Sequence, residues 1–261
     1  MNKVYVITVC KNASNLLEPT MLSVLNQTYD NIAYIVVDGA STDGTVEIVR
    51  KYEKRLAAWV SEPDKGIYDA MNKGLEIAKS LLDDGEDAWV NFMNAGDSFE
   101  QSDTIARLFG AEGTLELAKN KDKIYVIGGN TCDYFTDGTF RIHYAESADV
   151  LTYRLAFSHQ SCFVRIGTIP NNTTFNGNWT FNTNYRFAAD YNLLHSICIK
   201  YGSEAFLIVN QTIACYLQNG SSSLDSWRKT GIEYLRIQFA VFSINWWKNV
   251  YRFFRKTISK W

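Results

Sequence analysis

The chain has 261 residues, 46% hydrophobic and 21% charged, with 3 prolines and a formal net charge of −2. That composition excludes a disordered chain and fits a globular protein with a large core. The near-neutral charge gives no electrostatic case for nucleic acid, whose phosphates are met by strongly basic surfaces.

Residues 3–9, KVYVITV, are a short β-branched run of the kind expected for a buried parallel strand. Lys11, Asn12 and Ser14 end the run too early for a secretory leader, and no apolar stretch is long enough to cross a bilayer, so a cytoplasmic protein is expected. A helix is predicted over Leu16–Leu25, with Pro19 near its first turn, then a second buried strand over residues 32–37 that stops at Asp38. The turn sequence Gly39–Gly44 follows, with Ser41 or Thr42 as candidate caps for a helix over Thr45–Lys54. A third strand (Ala57–Val60), a helix (Tyr68–Ser80) and a fourth strand (residues 88–93) complete a βαβαβαβ order. Such an order predicts an α/β protein with a mostly parallel sheet and helices on both faces. The five cysteines lack CxxC spacing and read as small buried hydrophobes, not as a zinc or redox site.

Ligands of such sheets bind outside the carboxyl ends of the strands, and Asp38, Asp64 and Asp97 all fall at or just beyond such ends. Asp43 is better read as a turn residue. No GxxxxGK[ST] and no GxGxxG is present, so a glycine cradle for phosphate is not supported. Carboxylates beside a diphosphate make sense when one of them holds a divalent cation through hard oxygen donors.

The segments TVCKNA (from Thr8), SVLNQT (from Ser23), VDGASTDGT (from Val37), SEPDKGIYDAMNKG (from Ser61) and FMNAGD (from Phe92) resemble, in order and spacing, the inverting family 2 glycosyltransferases of bacterial polysaccharide biosynthesis. The likeness is close over residues 3–99 and looser to about residue 220, through SHQSCFVR (from Ser158) and FAADYNLL (from Phe187). It implies a GT-A (Rossmann-like) fold and a nucleotide-sugar donor, by family habit a UDP-sugar. It also implies a glycan or lipid-linked acceptor and Mn²⁺ or Mg²⁺ as cofactor. By position, Asp38 matches the aspartate that reads the base, Asp64 a second nucleotide-site aspartate, and Asp97 the metal-binding carboxylate. Thr8, Val9, Asn12, Asn72, Asn94, Ala95, Gly96, His159 and Gln160 fall on donor-binding segments. Asn94 and Gly96 stand where the family's acidic motif has acids, which leaves one carboxylate for the metal.

Inversion by direct displacement needs a base on the face of the sugar away from the metal. Local sequence leaves Asp190 balanced between helix capping and catalysis; the resemblance of AADYN to the family's base segment favours catalysis. His143 and His195 read as structural, and no GxSxG elbow supports a covalent mechanism. The expected organisation is a catalytic domain over 1–225, with nucleotide (1–99) and acceptor (100–225) halves. C-terminal helices over 226–261 follow, rich in aromatics and cations. Those helices suit a membrane interface or a second copy of the chain, with packing on the catalytic domain as the third reading. Two rival functions are a sugar-1-phosphate nucleotidyltransferase, whose Gly-rich basic loop is missing after the first strand, and a catalytically degenerate nucleotide-sugar-binding scaffold.

Overall fold

A computed structural model describes residues 2–83, 88–110, 123–135, 137–166, 180–218 and 229–240. Its first strands are β1 (Lys3–Cys10), β2 (Ile32–Asp38), β3 (Ala58–Ser61) and β4 (Ala88–Phe92). They alternate with α1 (Leu17–Leu25), α2 (Thr45–Tyr52) and α3 (Ile67–Ser80). Each strand is a short apolar run because both of its faces are covered. Tyr5, Ile7 and Val9 of β1 enter one core with α3, while Val4, Val6 and Cys10 enter the other, with α1. The helices answer with apolar stripes at helical spacing: Leu17, Thr20, Met21 and Val24 in α1, and Tyr68, Met71, Leu75 and Ala78 in α3. Each large side chain so buried contributes roughly 1.5–3 kcal/mol. Gly74 lets α3 lie close on β1, since a Cβ there would stand 2.4 Å from Ile7 Cγ2.

Among the described residues the sheet has nine strands. β5 (Asp97–Phe99), β6 (Val126–Phe135), β7 (Phe140–His143), β8 (Cys162–Ile166) and β9 (Phe206–Gln218) extend it, with α4 (Thr104–Phe109) and α5 (Ala189–Tyr201) alongside. Its order is β3-β2-β1-β4-β8-β6-β9-β5, with β7 on β6. The first four strands pair parallel. β8 then joins β4 antiparallel and β6 joins β8 antiparallel, β9 returns parallel to β6, and β5 pairs antiparallel with β9. The expected parallel, helix-flanked core forms, and every antiparallel pairing involves a strand that follows β4.

One local expectation fails: neither Ser41 nor Thr42 caps α2. The N-cap is Gly44 at φ 93°, a left-handed position suited to glycine. Asp43 takes over the capping chemistry, accepting from the Thr45 amide (3.2 Å) and hydroxyl (2.5 Å) and from the Ser14 amide (3.1 Å). All five cysteines are free and buried, as expected. Among the described residues no helix is long and apolar enough to cross a membrane.

Candidate active site

The carboxyl ends of β1, β2 and β4 lie side by side because the three strands are parallel neighbours, with Cys10 opposite Asp38. Their loops are then tied together. The Asn12 amide donates to Ser41 Oγ (2.7 Å), the Thr42 amide donates to Asn12 Oδ1 (2.9 Å), and the Ala95 amide donates to the Val9 carbonyl (3.2 Å). Asn12 adopts φ 47°, a left-handed conformation that asparagine tolerates.

Asp38 sits beneath this rim, wholly buried, and accepts from the Ser41 amide (3.0 Å), the Ser41 hydroxyl and the Ser61 hydroxyl (2.6 Å). As placed, it organises the turn above it. Asp64 lies at the rim itself: its Oδ1 accepts from the Gly66 amide (2.9 Å), and its Oδ2 would stand 2.0 Å from a Cβ on residue 39. Gly39 is therefore the only size of residue that lets the two loops meet without displacing that carboxylate.

Three residues of the expected donor segments lie back from the rim. Thr8 is fully buried with its hydroxyl on Tyr34 (2.8 Å), inside the sheet's core. Val9 is buried in the α3-side core and its carbonyl is taken by Ala95. Asn72 uses its amide to hold the backbone of Phe181, donating to its carbonyl (2.9 Å) and accepting from its N–H (2.8 Å). As placed, their side chains support the backbone behind the rim.

Asn94, Ala95, Gly96 and Asp97 form the turn between β4 and β5, with Gly96 at φ 102° and its amide on Thr20 Oγ1 (3.0 Å). Asp97 Oδ2 accepts from Gln160 Nε2 (2.9 Å). Burial pushes the Asp97 carboxyl up to about 6, against the opposing hydrogen bond from Gln160 and the nearby His159. A cleft of about 260 Å³ opens beside Asp97, lined by Asn15, Leu16, Pro19, Gly96, Tyr134 and Tyr216 among others.

The neighbouring His159 faces the other way. Its Nδ1 lies 3.1 Å from Asp190 Oδ2 and its Nε2 lies 3.0 Å from Asn94 Nδ2. An amide nitrogen donates, so in this arrangement Nε2 accepts and the ring proton sits on Nδ1, toward Asp190. A doubly protonated ring requires Asn94 to turn over, which would give a partner to Asn94 Oδ1, buried here without one.

Asp190 is 9% exposed, in the first turn of α5 but not at its N-cap, which is Ala188. Oδ1 accepts from the Tyr68 hydroxyl (3.1 Å) and the Tyr191 amide (2.8 Å). Burial alone would raise this carboxyl; the hydrogen bonds from His159, the Tyr191 amide and Tyr68 hold it below its ordinary value. The HQ pair thus spans the two carboxylates, Gln160 on Asp97 and His159 on Asp190. Asn91, buried in β4, fixes that pair by donating to the carbonyls of Gln160 and Cys162 (2.8 Å each).

Sequence reasoning missed Asn91, Ser61, Tyr68 and Tyr216. Tyr68 stands inside SEPDKGIYDAMNKG and was within reach of the motif. Tyr216, whose hydroxyl lies within hydrogen-bond reach of Gln160 Oε1 (3.0 Å) and of Ser158, has no local signal; the β5–β9 register places it opposite Asp97.

Among the described residues no group of three His, Cys, Asp or Glu could hold a metal ion. Asp97 nevertheless offers a hard carboxylate oxygen, the donor type that Mn²⁺ and Mg²⁺ take, and these ions commonly complete their shells with waters and phosphate oxygens. The donor set fits a cation shared with a bound diphosphate, not one caged by protein.

Among solved structures the chain is similar to S. aureus TarS in complex with UDP-GlcNAc (TM-score 0.54, 14% identity, covering 87% of this chain and 64% of that one). It is also similar to the mannosyltransferase PcManGT from Pyrobaculum calidifontis in complex with GDP-Man and Mn²⁺ (TM-score 0.57, 18% identity, 91% and 63%). Glucosyl-3-phosphoglycerate synthase from Mycobacterium tuberculosis, in complex with Mn²⁺ and UDP, is a third (TM-score 0.57, 15% identity, 92% and 79%). These likenesses establish the GT-A fold. In sequence, a PGL/p-HBAD biosynthesis glycosyltransferase of Mycobacterium bovis is 30% identical over 159 residues, 60% of this chain and 56% of that protein. The match thus spans a little over half of that relative's length. The putative teichuronic acid biosynthesis glycosyltransferase TuaG of Bacillus subtilis is 39% identical over 92 residues, 33% of this chain and 36% of that protein. The model of the family described as Glycosyl transferase family 2 matches residues 5–169, more than half of the sequence. The chain belongs to family 2 of the glycosyltransferases.

Proposed function

We propose that the chain transfers a sugar, with inversion, from a nucleotide-diphosphate donor, preferably a UDP-sugar, to a hydroxyl of a glycan or lipid-linked acceptor. The observation that carries this reading is Asp190. It is a buried carboxylate kept in its basic form by His159, the Tyr191 amide and Tyr68, and linked to Asp97 through adjacent residues.

In this reading Asp190 Oδ2 takes the proton of the acceptor hydroxyl as its oxygen attacks the anomeric carbon, and the carbon–phosphate oxygen bond breaks on the opposite side. His159 holds the carboxylate's rotamer and passes its orientation on to Asn94. Asp97, with oxygens of the donor, would hold Mn²⁺ or Mg²⁺. The cation, when bound, neutralises charge on the leaving diphosphate. Asp64 and Asn12 on the rim suit the nucleoside, as hydrogen-bonding partners for ribose or base. Asp38 would read the base directly only if Ser41 or Ser61 yields a hydrogen bond to it. The nucleotide and acceptor halves meet within a catalytic domain over 1–225.

The acceptor class bears on location. The helical segment over 229–240 leaves Ile232, Leu235 and Phe239 exposed on its outer face, and the aromatic, cationic sequence 241–261 that follows it lies outside the described residues. We infer a peripheral contact with the cytoplasmic face of a membrane that carries the acceptor. A second copy on the same stripe is the competing occupant, and liposome flotation set against sedimentation separates them.

The function is tested by a thermal-shift panel of UDP-, GDP- and dTDP-sugars with and without Mn²⁺, followed by NMR of the anomeric configuration of the product. A donor that stabilises only with Mn²⁺, and a product of opposite configuration, are expected. Stabilisation without any turnover of donor would favour the degenerate scaffold.

A further inference from the structure

Helix α5 starts without a cap of its own. Its N-cap is Ala188, which has no side-chain oxygen to offer, and the amides entering a helix have no partners within it. The missing acceptor arrives from far along the chain. Glu233 Oε1 accepts from the Arg186 amide (3.0 Å), and Oε2 accepts from the amides of Phe187 (2.8 Å) and Ala188 (3.0 Å). A carboxylate taking three N–H groups is a strong, charge-assisted anchor.

The rest of the segment over 229–240 grips the same turn. Ile237 is 1% exposed and packs with Ala188 and Tyr191. The Tyr234 ring stacks on Tyr191 at 4.3 Å, and Gln238 Nε2 donates to the Tyr153 carbonyl (2.7 Å) and to the Tyr191 hydroxyl (3.3 Å). Asp190 lies between Ala188 and Tyr191, and the Tyr191 amide is one of its own hydrogen-bond donors. The backbone that aims Asp190 is therefore held on both sides by the C-terminal segment.

We propose that Glu233 is a positioning residue for transfer: it sets the backbone at residues 186–188 so that Asp190 meets His159 and Tyr68, and the C-terminal segment is thus part of the catalytic apparatus. The proposal rests on the reading of Asp190 as base. It assigns to this segment a task separate from any membrane contact, which would use the opposite, exposed stripe.

The test compares the whole chain with Glu233→Ala, Glu233→Gln, Arg236→Ala, Asp190→Asn and Asp190→Ala. The first readout needs no acceptor: ring ¹⁵N NMR of His159, whose Nδ1–H form is held by Asp190 in the wild type. Asp190→Ala gives the signature of a ring without that partner. Glu233→Ala is expected to give the same signature, Glu233→Gln an intermediate one because its single carbonyl oxygen keeps only part of the anchor, and Arg236→Ala, exposed on the same segment, the wild-type one.

The second readout is hydrolysis of UDP-glucose, UDP-galactose and UDP-N-acetylglucosamine with Mn²⁺. Glu233→Ala is expected to lower kcat roughly 10- to 100-fold with the donor KM within about threefold, as for a reactive group moved by an ångström or less. A purely structural role would lower the amount of folded protein and leave the His159 signature of the folded fraction unchanged. That result in Glu233→Ala, or in Glu233→Gln should the alanine variant not fold, overturns the proposal. Wild-type hydrolysis by Asp190→Asn would instead overturn the base assignment, whatever Glu233 does to His159.

Discussion

The two halves of this sheet are built on different terms. In the parallel half, loops are tied by backbone amides and short side chains of neighbouring strand ends: Asn12 with Ser41 and Thr42, and Asp43 with Ser14 and Thr45. In the mixed half, side chains converge from His159, Gln160, Asp190 and Tyr216, well separated in sequence, and Tyr68 of α3 reaches across to join them. The first arrangement makes a stiff cradle. The second makes a network in which each polar group depends on the next, and such networks lose more from one deletion than a pairwise count suggests.

The comparison breaks most sharply at Asp190. Asp190→Asn is expected to lower transfer about 10²- to 10⁴-fold, the span of a general base, while nucleotide affinity in the cradle stays near wild type. Isothermal titration with UDP beside a turnover assay checks this, and parallel losses in both would mean that the halves are not separable. Next in size is Asp97→Asn, expected to abolish the Mn²⁺-dependent part of donor stabilisation, about 2.7 kcal/mol at a hundredfold excess over Kd. Thermal melts with and without Mn²⁺ measure it.

His159→Ala should shift the pH dependence of transfer more than its maximum. Without His159, burial dominates at Asp190 and its carboxyl rises, so the acid limb of the kcat profile moves to higher pH. An unmoved limb would detach His159 from the base. The smallest effect is on stability. Asp97 ionises near 6 in the folded chain against an ordinary 3.8, so its contribution to folding falls as pH rises through that window. Without metal, Asp97→Asn should therefore gain on wild type at pH 7 and lose that advantage by pH 4, as read from denaturant midpoints.

Much of the cradle was legible because parallel strands buried on both faces read as unbroken apolar runs. Strands β1 to β4 fall within a residue or two of where the runs put them, and the aspartates follow from their ends. Thr8, Val9 and Asn72 were named by resemblance alone, and strand ends say nothing of which way each faces. A motif records every residue a rim needs, and sequence does not say whether Thr8 meets a ligand or Tyr34. The mixed half resisted for a different reason. Tyr216 reaches Gln160 only through the pairing of β5 with β9 and of β9 with β6, partners some 80 to 120 positions apart whose register no local pattern announces. Glu233 was visible only as the last acid before a basic tail, a compositional fact that hid its use by α5.

Strand β4 joins the halves, with β1 parallel on one edge and β8 antiparallel on the other. During synthesis, β1 to β4 can assemble as soon as residue 92 has left the ribosome, but the far edge of β4 stays bare until Cys162–Ile166 emerge. An apolar strand with an open edge is a template for pairing with another chain. Nascent chains and truncations ending before residue 162 should therefore lean on chaperones, whereas those that include β8 should not.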